Sequence, residues 1–576
     1  MAKQIVRILD DISPSELKLR NMSRPIGGLY NAFINELGQV EKRKGYTKYN
    51  TTSIGADHKI VGMHRFYKQD TASKEFIVAW NTDLYKLAET SPYEATSIKS
   101  GLNVDKDTYF ADFLNHCYIV NGSNPMMKYN LTNVRTVGIT APDAPTFNSN
   151  IDGSLSAGTY YFKYTFVDED GYESNGGTAS VAMTAAADPN DGIEINIAVS
   201  GDAKVTKRRI YRTTVNGAIY YYDGEVADNT TLTYDSIKAD NTLGSALHTN
   251  HDAPPADPHL ITKRGNRLYL GHDDELVISH LSDCEYFPPA WFIKTGNRQI
   301  IKGLLEQLNA LPIFTENSIE RLLGTDEDNF EFRNAFSKKG CYAIRSLVIC
   351  DNLLIYLSYD GIYYFDGVSS GIFNQRLNEY LKDNINRTYI GLSCATYFND
   401  RYMLCYPKGA STIPNETIVI DMKSKAVSVY SYAFSCFSVW DRGELRLMAG
   451  SNTEGRVYEL ETGTTDDTAS ITCYDSLDPL DFGIPDRLKN YYSIFIKCKT
   501  TTGTGLKVYY QTDDNDEASV DTPENAVVAN KDRWYRFRLP SGVRGRTLKI
   551  RPYISDAYDV TFKGIMIEFD IEALQP

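Results

Sequence analysis

The sequence predicts an all-β chain: a β-propeller of six or seven blades, interrupted by one β-sandwich and followed by a second. Three observations carry this. The composition is rich in tyrosine, with 41 Tyr and 24 Phe against 4 Trp, and aromatic side chains favour the pleated, half-buried surface of a strand. A short hairpin recurs along the chain. One long interval in that recurrence is bounded by prolines.

The hairpin copies begin at Lys74, Asn115, Gly265, Asn309, Asp351, Asn399 and Gly443, giving intervals of 41, 150, 44, 42, 48 and 44 residues. Each copy pairs two apolar strands across a turn of Asn, Asp or Gly, such as Asn81-Thr82-Asp83, Asp273-Asp274, Asp360-Gly361 and Asn452–Gly455. These residues tolerate turn backbones. A period of about 40–50 residues with paired strands is what propeller blades produce. A four-stranded sheet has two apolar faces, and stacking such sheets around an axis buries both. Ring closure can combine N-terminal and C-terminal strands.

Removing a module from the long interval restores the period. That module, residues 141–255, opens with APDAPTF and closes with DAPPADP, proline-rich hinges of the kind that bound domains. Alternating strands such as GTYYFKYTFVDEDGYES and KRRIYRTTVNGAIYYYDGEV predict a small sandwich. Beyond residue 465 the period stops, and LKVYYQTDDND, WYRFRLP, TLKIRPYIS and FKGIMIEFDIE predict the second sandwich. The expected order is an N-terminal arm (1–50), the first blades (51–140), the insert (141–255), the remaining blades (256–465) and the C-terminal sandwich (466–576). The one helix predicted starts at Asn374, with Leu377, Tyr380, Leu381 and Ile385 on one face, and should pack on a neighbouring blade.

The formal net charge of −14 argues against affinity-driven nucleic-acid binding, which needs Lys and Arg to displace counterions, and suits a surface that does not retain DNA. Nine cysteines with irregular spacing and no C-x-x-C pair predict reduced, buried thiols made in a cytosol. MAKQIVRILDD lacks the apolar core of a signal peptide, and no run reaches the roughly 18 apolar residues of a spanning helix.

Signatures of chemistry are scarce. The sequence holds no phosphate-binding glycine loop and no H-E-x-x-H. His248 and His251 lie three apart in a hinge without further ligands nearby. The acidic runs Asp168-Glu169-Asp170-Gly171 and Asp513-Asp514-Asn515-Asp516-Glu517 could offer carboxylates to calcium but lack its full loop spacing, so hairpin turns are expected. Sialidase-type boxes are missing, and the W-D dipeptide of WD repeats occurs once, at Trp440-Asp441. No catalytic, cofactor-binding or metal-binding residue is therefore assigned.

The insert is similar to the fibronectin type III-like modules of phage structural proteins in its Tyr-rich strand, its D-x-D-G turn and its "RIYR" strand. The stretch 311–367 resembles the blade region of tail nozzle, or tail stabilisation, proteins of short-tailed bacteriophages. The elements that carry this are Phe314, Glu316, Ser318 and Ile319; Gly340 and Cys341; and Leu357, Ser358, Asp360, Gly361, Ile362, Tyr363, Asp366 and Gly367. Gly27-Gly28 and Lys42-Arg43-Lys44-Gly45-Tyr46 are similar to the start of the same proteins. The resemblance touches about half the chain. It implies a non-catalytic virion tail subunit made in the bacterial host cytoplasm. Such subunits form a homo-oligomeric, hexameric ring around the genome-ejection channel, joining the head-to-tail adaptor and portal to fibres or spikes and passing DNA without specific binding. Two other readings stay open: a tail-associated polysaccharide-degrading propeller enzyme, and an adhesin contacting the host cell surface.

Overall fold

The computed structural model describes residues 4–9, 24–326, 328–441, 443–501, 505–513 and 515–572. Its regular elements are almost all strands, and seven four-stranded antiparallel units form a propeller-like ring; five are separate sheets, and the sixth and seventh belong to a larger 14-stranded sheet that runs on into C-terminal strands. Sheet 1 runs Ile60–Lys68, Ser73–Trp80, Asp83–Leu87 and Ala95–Lys99. Sheet 2 runs Tyr109–Phe113, His116–Val120, Met127–Tyr129 and Val134–Thr136. After the insert come sheet 3, from Leu260–Arg264 to Phe292–Lys294, and sheet 4, from Gly303–Leu304 to Glu331–Asn334. Sheet 5 extends from Val348–Cys350 to Ser370–Ile372 and sheet 6 from Cys394–Phe398 to Val427–Tyr430. Sheet 7 has three strands of its own, Cys436–Asp441, Leu445–Gly450 and Val457–Leu460; its fourth is N-terminal, Tyr46–Lys48, which pairs antiparallel with Val457–Leu460.

The reason for the ring is visible in burial. Second strands are covered on both faces: every residue of His116–Val120 and Arg401–Tyr406 is buried. Their apolar side chains fill seven clusters, one between each pair of consecutive sheets. The cluster that closes the circle joins Ile60, Phe76 and Val78 of sheet 1 to Trp440, Met448 and Val457 of sheet 7. At six of the seven junctions the first strands of neighbouring sheets lie against one another around the axis.

The predicted helix spans Gln375–Asn384, with the Asn374 side chain accepting from the Leu377 amide as its N-cap. Leu377 and Leu381 enter the cluster between sheets 5 and 6. Asn378 of this helix fits the Asp360-Gly361 turn, where its Oδ1 accepts from the Ile362 amide at 2.9 Å.

The insert leaves after Thr136 and returns at Leu260, so it is spliced between consecutive sheets that share an apolar cluster. Its strands form two three-stranded groups, Thr146–Ile151 with Gly192–Asn196 and Thr233–Ser236, and Phe162–Asp168 with Val205–Thr213 and Tyr220–Val226, and a further pair, Gly158–Tyr160 with Met183–Ala185. Tyr160, Phe162, Tyr164, Ile193, Ile195 and Ile210 fill the space between them.

At the C-terminal end, Lys489–Thr500, Arg533–Arg538 and Val560–Ile571 form one sheet, and Lys507–Thr512, Leu548–Asp556 and Ala469–Asp475 pair in another. The segment expected as an N-terminal arm threads between these sheets and the ring. Gln4–Leu9 and Val40–Lys42 pair with Val560–Ile571, and Leu29–Tyr30 lies between sheet 6 and Ala469–Asp475. Two buried ion pairs fix this threading: Arg24 Nε to Asp475 Oδ1 at 2.6 Å and Arg43 Nη2 to Asp466 Oδ2 at 2.6 Å. Residues 10–23 of the expected arm lie outside the described residues.

Candidate functional site

Three polar places stand out against this apolar frame: the axis of the ring, the dock of the insert, and a cleft where the ring meets the C-terminal sheets.

At the axis, Arg345 sits in the one-turn segment Ile344–Ser346 before sheet 5. Its guanidinium crosses to the far side of the ring, donating to the Ser435 carbonyl at 3.1 Å and to the Val61 carbonyl. It lies 3.5 Å from Asp107 Oδ1 and over the Tyr109 ring at 5.6 Å. Arg345 therefore ties the start of sheet 5 to sheets 7, 1 and 2 and bridges the axis. Burial opposes its charge, but Asp107 and the surrounding acceptors hold its pKa above the ordinary arginine value. Cavities of about 430 and 200 Å³ flank it, with His64, Tyr109, Phe110 and Arg345 lining both.

At the dock of the insert, Lys128 of sheet 2 is 2% exposed and meets three carboxylates: Asp168 Oδ2 at 2.8 Å, Asp170 Oδ2 at 2.7 Å and Glu285 Oε1 at 2.9 Å. Tyr118 donates to Glu285 at 3.1 Å, and the Lys128 ammonium lies 4.9 Å from the centre of the Tyr172 ring. Asp168 also accepts the Asp170 and Tyr172 amides, which folds the turn onto the ring. The acidic run Asp168–Gly171 is thus more than a surface hairpin: it is the insert's plug into sheet 2. Burial raises Glu285 above the usual carboxyl range with Lys128 opposing, whereas His116 and Lys128 hold Asp170 below it.

His248 and His251 stack on each other at 5.0 Å, and His251 stacks on Tyr286 at 3.8 Å. Burial lowers the His251 pKa. The pair wedges the return hinge against the loop between the third and fourth strands of sheet 3. In the second acidic run, Asp513 accepts the Arg546 and Thr547 amides at 2.9 and 2.8 Å and Glu517 pairs with Arg551. Asp514 lies outside the described residues. Trp440 is core, stacked on Phe76 at 4.9 Å beneath the Arg65 guanidinium.

The cleft, about 440 Å³, is lined by Gly27, Gly28, Tyr30, Tyr380, Lys408, Glu416, Tyr474, Lys549 and Arg551 among others. Glu416 accepts from Tyr406 at 2.5 Å, Lys408 at 2.8 Å and Tyr380 at 3.2 Å, so most of its acceptor sites are taken by its neighbours. Tyr30 and Tyr474 stack at 4.8 Å and Arg551 lies over Tyr474 at 5.1 Å. Aromatic faces and fixed charges meet here at a junction between units, the usual place for a binding cleft.

Sequence reasoning assigned none of Arg345, Lys128, Glu285 or Glu416. Lys128, in MMKYN, has the alternation of an exposed strand position, and its burial comes from a turn 40 residues onward.

No family model and no curated protein sequence matches the chain. Among solved structures it is similar to the computationally designed Ika8 protein, at 8% identity over 72% of this chain and 99% of that one, TM-score 0.34. It is similar to the Pan2 WD40 domain of Neurospora crassa, at 9% identity over 73% and 96%, TM-score 0.26. An exo-β-1,3-galactanase of Phanerochaete chrysosporium matches at 9% identity over 80% and 95%, TM-score 0.18. The ring of sheets described above rests on the chain's own strand pairing.

Proposed function

We propose that this chain is a non-catalytic structural subunit of a short phage tail, a nozzle protein. In this reading a seven-bladed propeller carries a fibronectin III-like sandwich between its second and third blades and a second sandwich at its end. Copies assemble into a ring around the ejection channel, joined to the adaptor above and to fibres or spikes below.

The observation that carries the reading is how the residues of the resemblance are used. In the stretch 311–367, Phe314, Ile319, Cys341, Leu357 and Ile362 are buried core. Gly340 has no room for a side chain, because an added Cβ would stand 1.9 Å from the Thr315 carbonyl oxygen. Asp366 receives the Val368 and Ser369 amides, each at 2.8 Å. In the N-terminal motif, Arg43 pairs with Asp466, Lys42 donates to the Tyr558 carbonyl at 2.9 Å, and Gly45 passes against Thr465. All of these residues hold sheets, turns and units together, as expected of a load-transmitting subunit.

Arg345 bridges the axis of the single propeller, so the channel of this reading is enclosed between copies. The net charge of −14 keeps such a conduit from retaining phosphate-rich cargo. Imaging of purified protein and of virions by electron microscopy tests the proposal. Rings with a central hole, placed at the tail tip, are expected; a monomer missing from virions would overturn it. The cleft beside Tyr30 and Tyr474 supports a second reading, contact with host polysaccharide, and release of reducing sugar would favour the enzyme form of it.

A further inference from the structure

A ladder of three side-chain pairs joins sheets 1 and 2 near the axis: His58 to Asp105 at 2.9 Å, Lys59 to Asp107 at 3.1 Å and His64 to Asp112 at 2.7 Å. The third rung differs in having a thiol. Asp112 and Cys117 face each other in register on neighbouring antiparallel strands. The donor atoms of His64, Asp112 and Cys117 all lie within 4.8 Å of one another.

Each donor is fixed by its surroundings. The His64 imidazole stacks on Phe110 at 5.5 Å with 9° between the planes, and Asp112 Oδ2 accepts the Tyr67 amide at 3.3 Å. Cys117 is fully buried behind them. His64 and Asp112 are 28% and 30% exposed and line the axial cavity of about 430 Å³. Imidazole nitrogen, carboxylate oxygen and thiolate sulfur on rigid strands form a zinc-type donor set. Three protein ligands with one open position is a geometry zinc accepts. The sulfur disfavours calcium and magnesium, which take oxygen ligands.

We infer that His64, Asp112 and Cys117 form a binding site for one divalent transition-metal ion of the zinc type, its fourth position open to the axial cavity. Binding forms a metal–sulfur bond, breaks the S–H bond and releases that proton to solvent, so affinity rises with pH. The site is independent of any role in a tail.

Titration of the full-length, chelator-treated protein with zinc and with cobalt tests this. One equivalent per chain is expected, and cobalt should produce a near-ultraviolet thiolate-to-metal charge-transfer band. Cys117→Ser should abolish the band, and His64→Ala and Asp112→Asn should weaken binding more than about 10-fold. His58→Ala, on a rung without a thiol, should leave it unchanged. Far-ultraviolet circular dichroism verifies folding, and the partly exposed His64 variant decides the matter if the buried cysteine variant unfolds. Lack of saturable binding, or a band that survives in both Cys117→Ser and His64→Ala, would overturn the assignment and leave only a hydrogen-bonded His64–Asp112 rung.

Discussion

Replacing Lys128 by Met removes the one ammonium among Asp168, Asp170 and Glu285. Its three contacts are 2.7–2.9 Å long, with Asp168 and Glu285 no more than 3% exposed. At an effective dielectric of about 20, each contact is of order 5 kcal/mol before desolvation, and desolvation cancels several kcal/mol per ion. What remains on removing one partner of a buried pair is about 3–5 kcal/mol, because the surviving carboxylates stay buried without compensation. The loss depends on pH with a definite sign. Burial already raises Glu285, and Lys128 is the largest influence lowering it; without Lys128 the rise grows. A carboxyl whose folded pKa lies above its unfolded value costs stability as pH climbs from about 4.3. Urea unfolding, followed on the transition that releases the insert, should show the variant about 3–5 kcal/mol weaker at pH 8. At pH 5 the deficit should shrink by more than about 1 kcal/mol, roughly one unit of pKa shift. A loss below about 1 kcal/mol at both pH values, or a greater loss at pH 5, would refute the claim that this cluster docks the insert.

Gly45→Ala places a Cβ 1.8 Å from the Thr465 carbonyl oxygen, where only backbone can move aside. It should cost at least about 3 kcal/mol, the upper end of ordinary overpacking, read as a lowered urea midpoint with early proteolysis of residues 29–48. The nine cysteines are all buried and unbridged, and burial pushes Cys341, Cys350, Cys473 and Cys498 up to about 12. A thiol reagent at pH 8 should therefore label none rapidly in the native protein and nine after denaturation; fast labelling of any one would contradict the packing. Asn374→Ala removes the N-cap of the helix between sheets 5 and 6 and should cost about 1 kcal/mol in thermal or urea unfolding.

The repeat was legible because every copy falls on the second and third strands of its sheet. The copy from Asp351, for example, covers Leu353–Ser358 and Gly361–Phe365. These strands are packed on both faces, so their apolar runs are long and their turns compact. The first and fourth strands were not legible: in sheet 5, Val348–Cys350 and Ser370–Ile372 are three residues each, too short to show alternation. The closing strand Tyr46–Lys48 carries no local sign of a partner more than four hundred residues away. Arg345, in CYAIRSLVI, reads as one charge in an apolar run, and only closure of the ring brings it to Val61, Asp107 and Ser435.

The same contrast bears on how the molecule keeps one arrangement of its sheets. Apolar packing between consecutive sheets is non-directional and would tolerate sliding, whereas the ion pairs of Arg24, Arg43, Lys128 and Arg345 each join segments far apart in sequence. Arg43 and Arg24 clamp the N-terminal thread to the segment just after sheet 7, Lys128 clamps the insert to sheet 2, and Arg345 clamps one side of the ring to the other. Such pairs are weak evidence of added stability, because desolvation offsets much of their attraction. Their better attested effect is register: breaking one strands a buried charge, so alternative arrangements of the same sheets are disfavoured more than the native one is favoured. A ring that also carries an insert and C-terminal sheets gains more from that selectivity than from a deeper core.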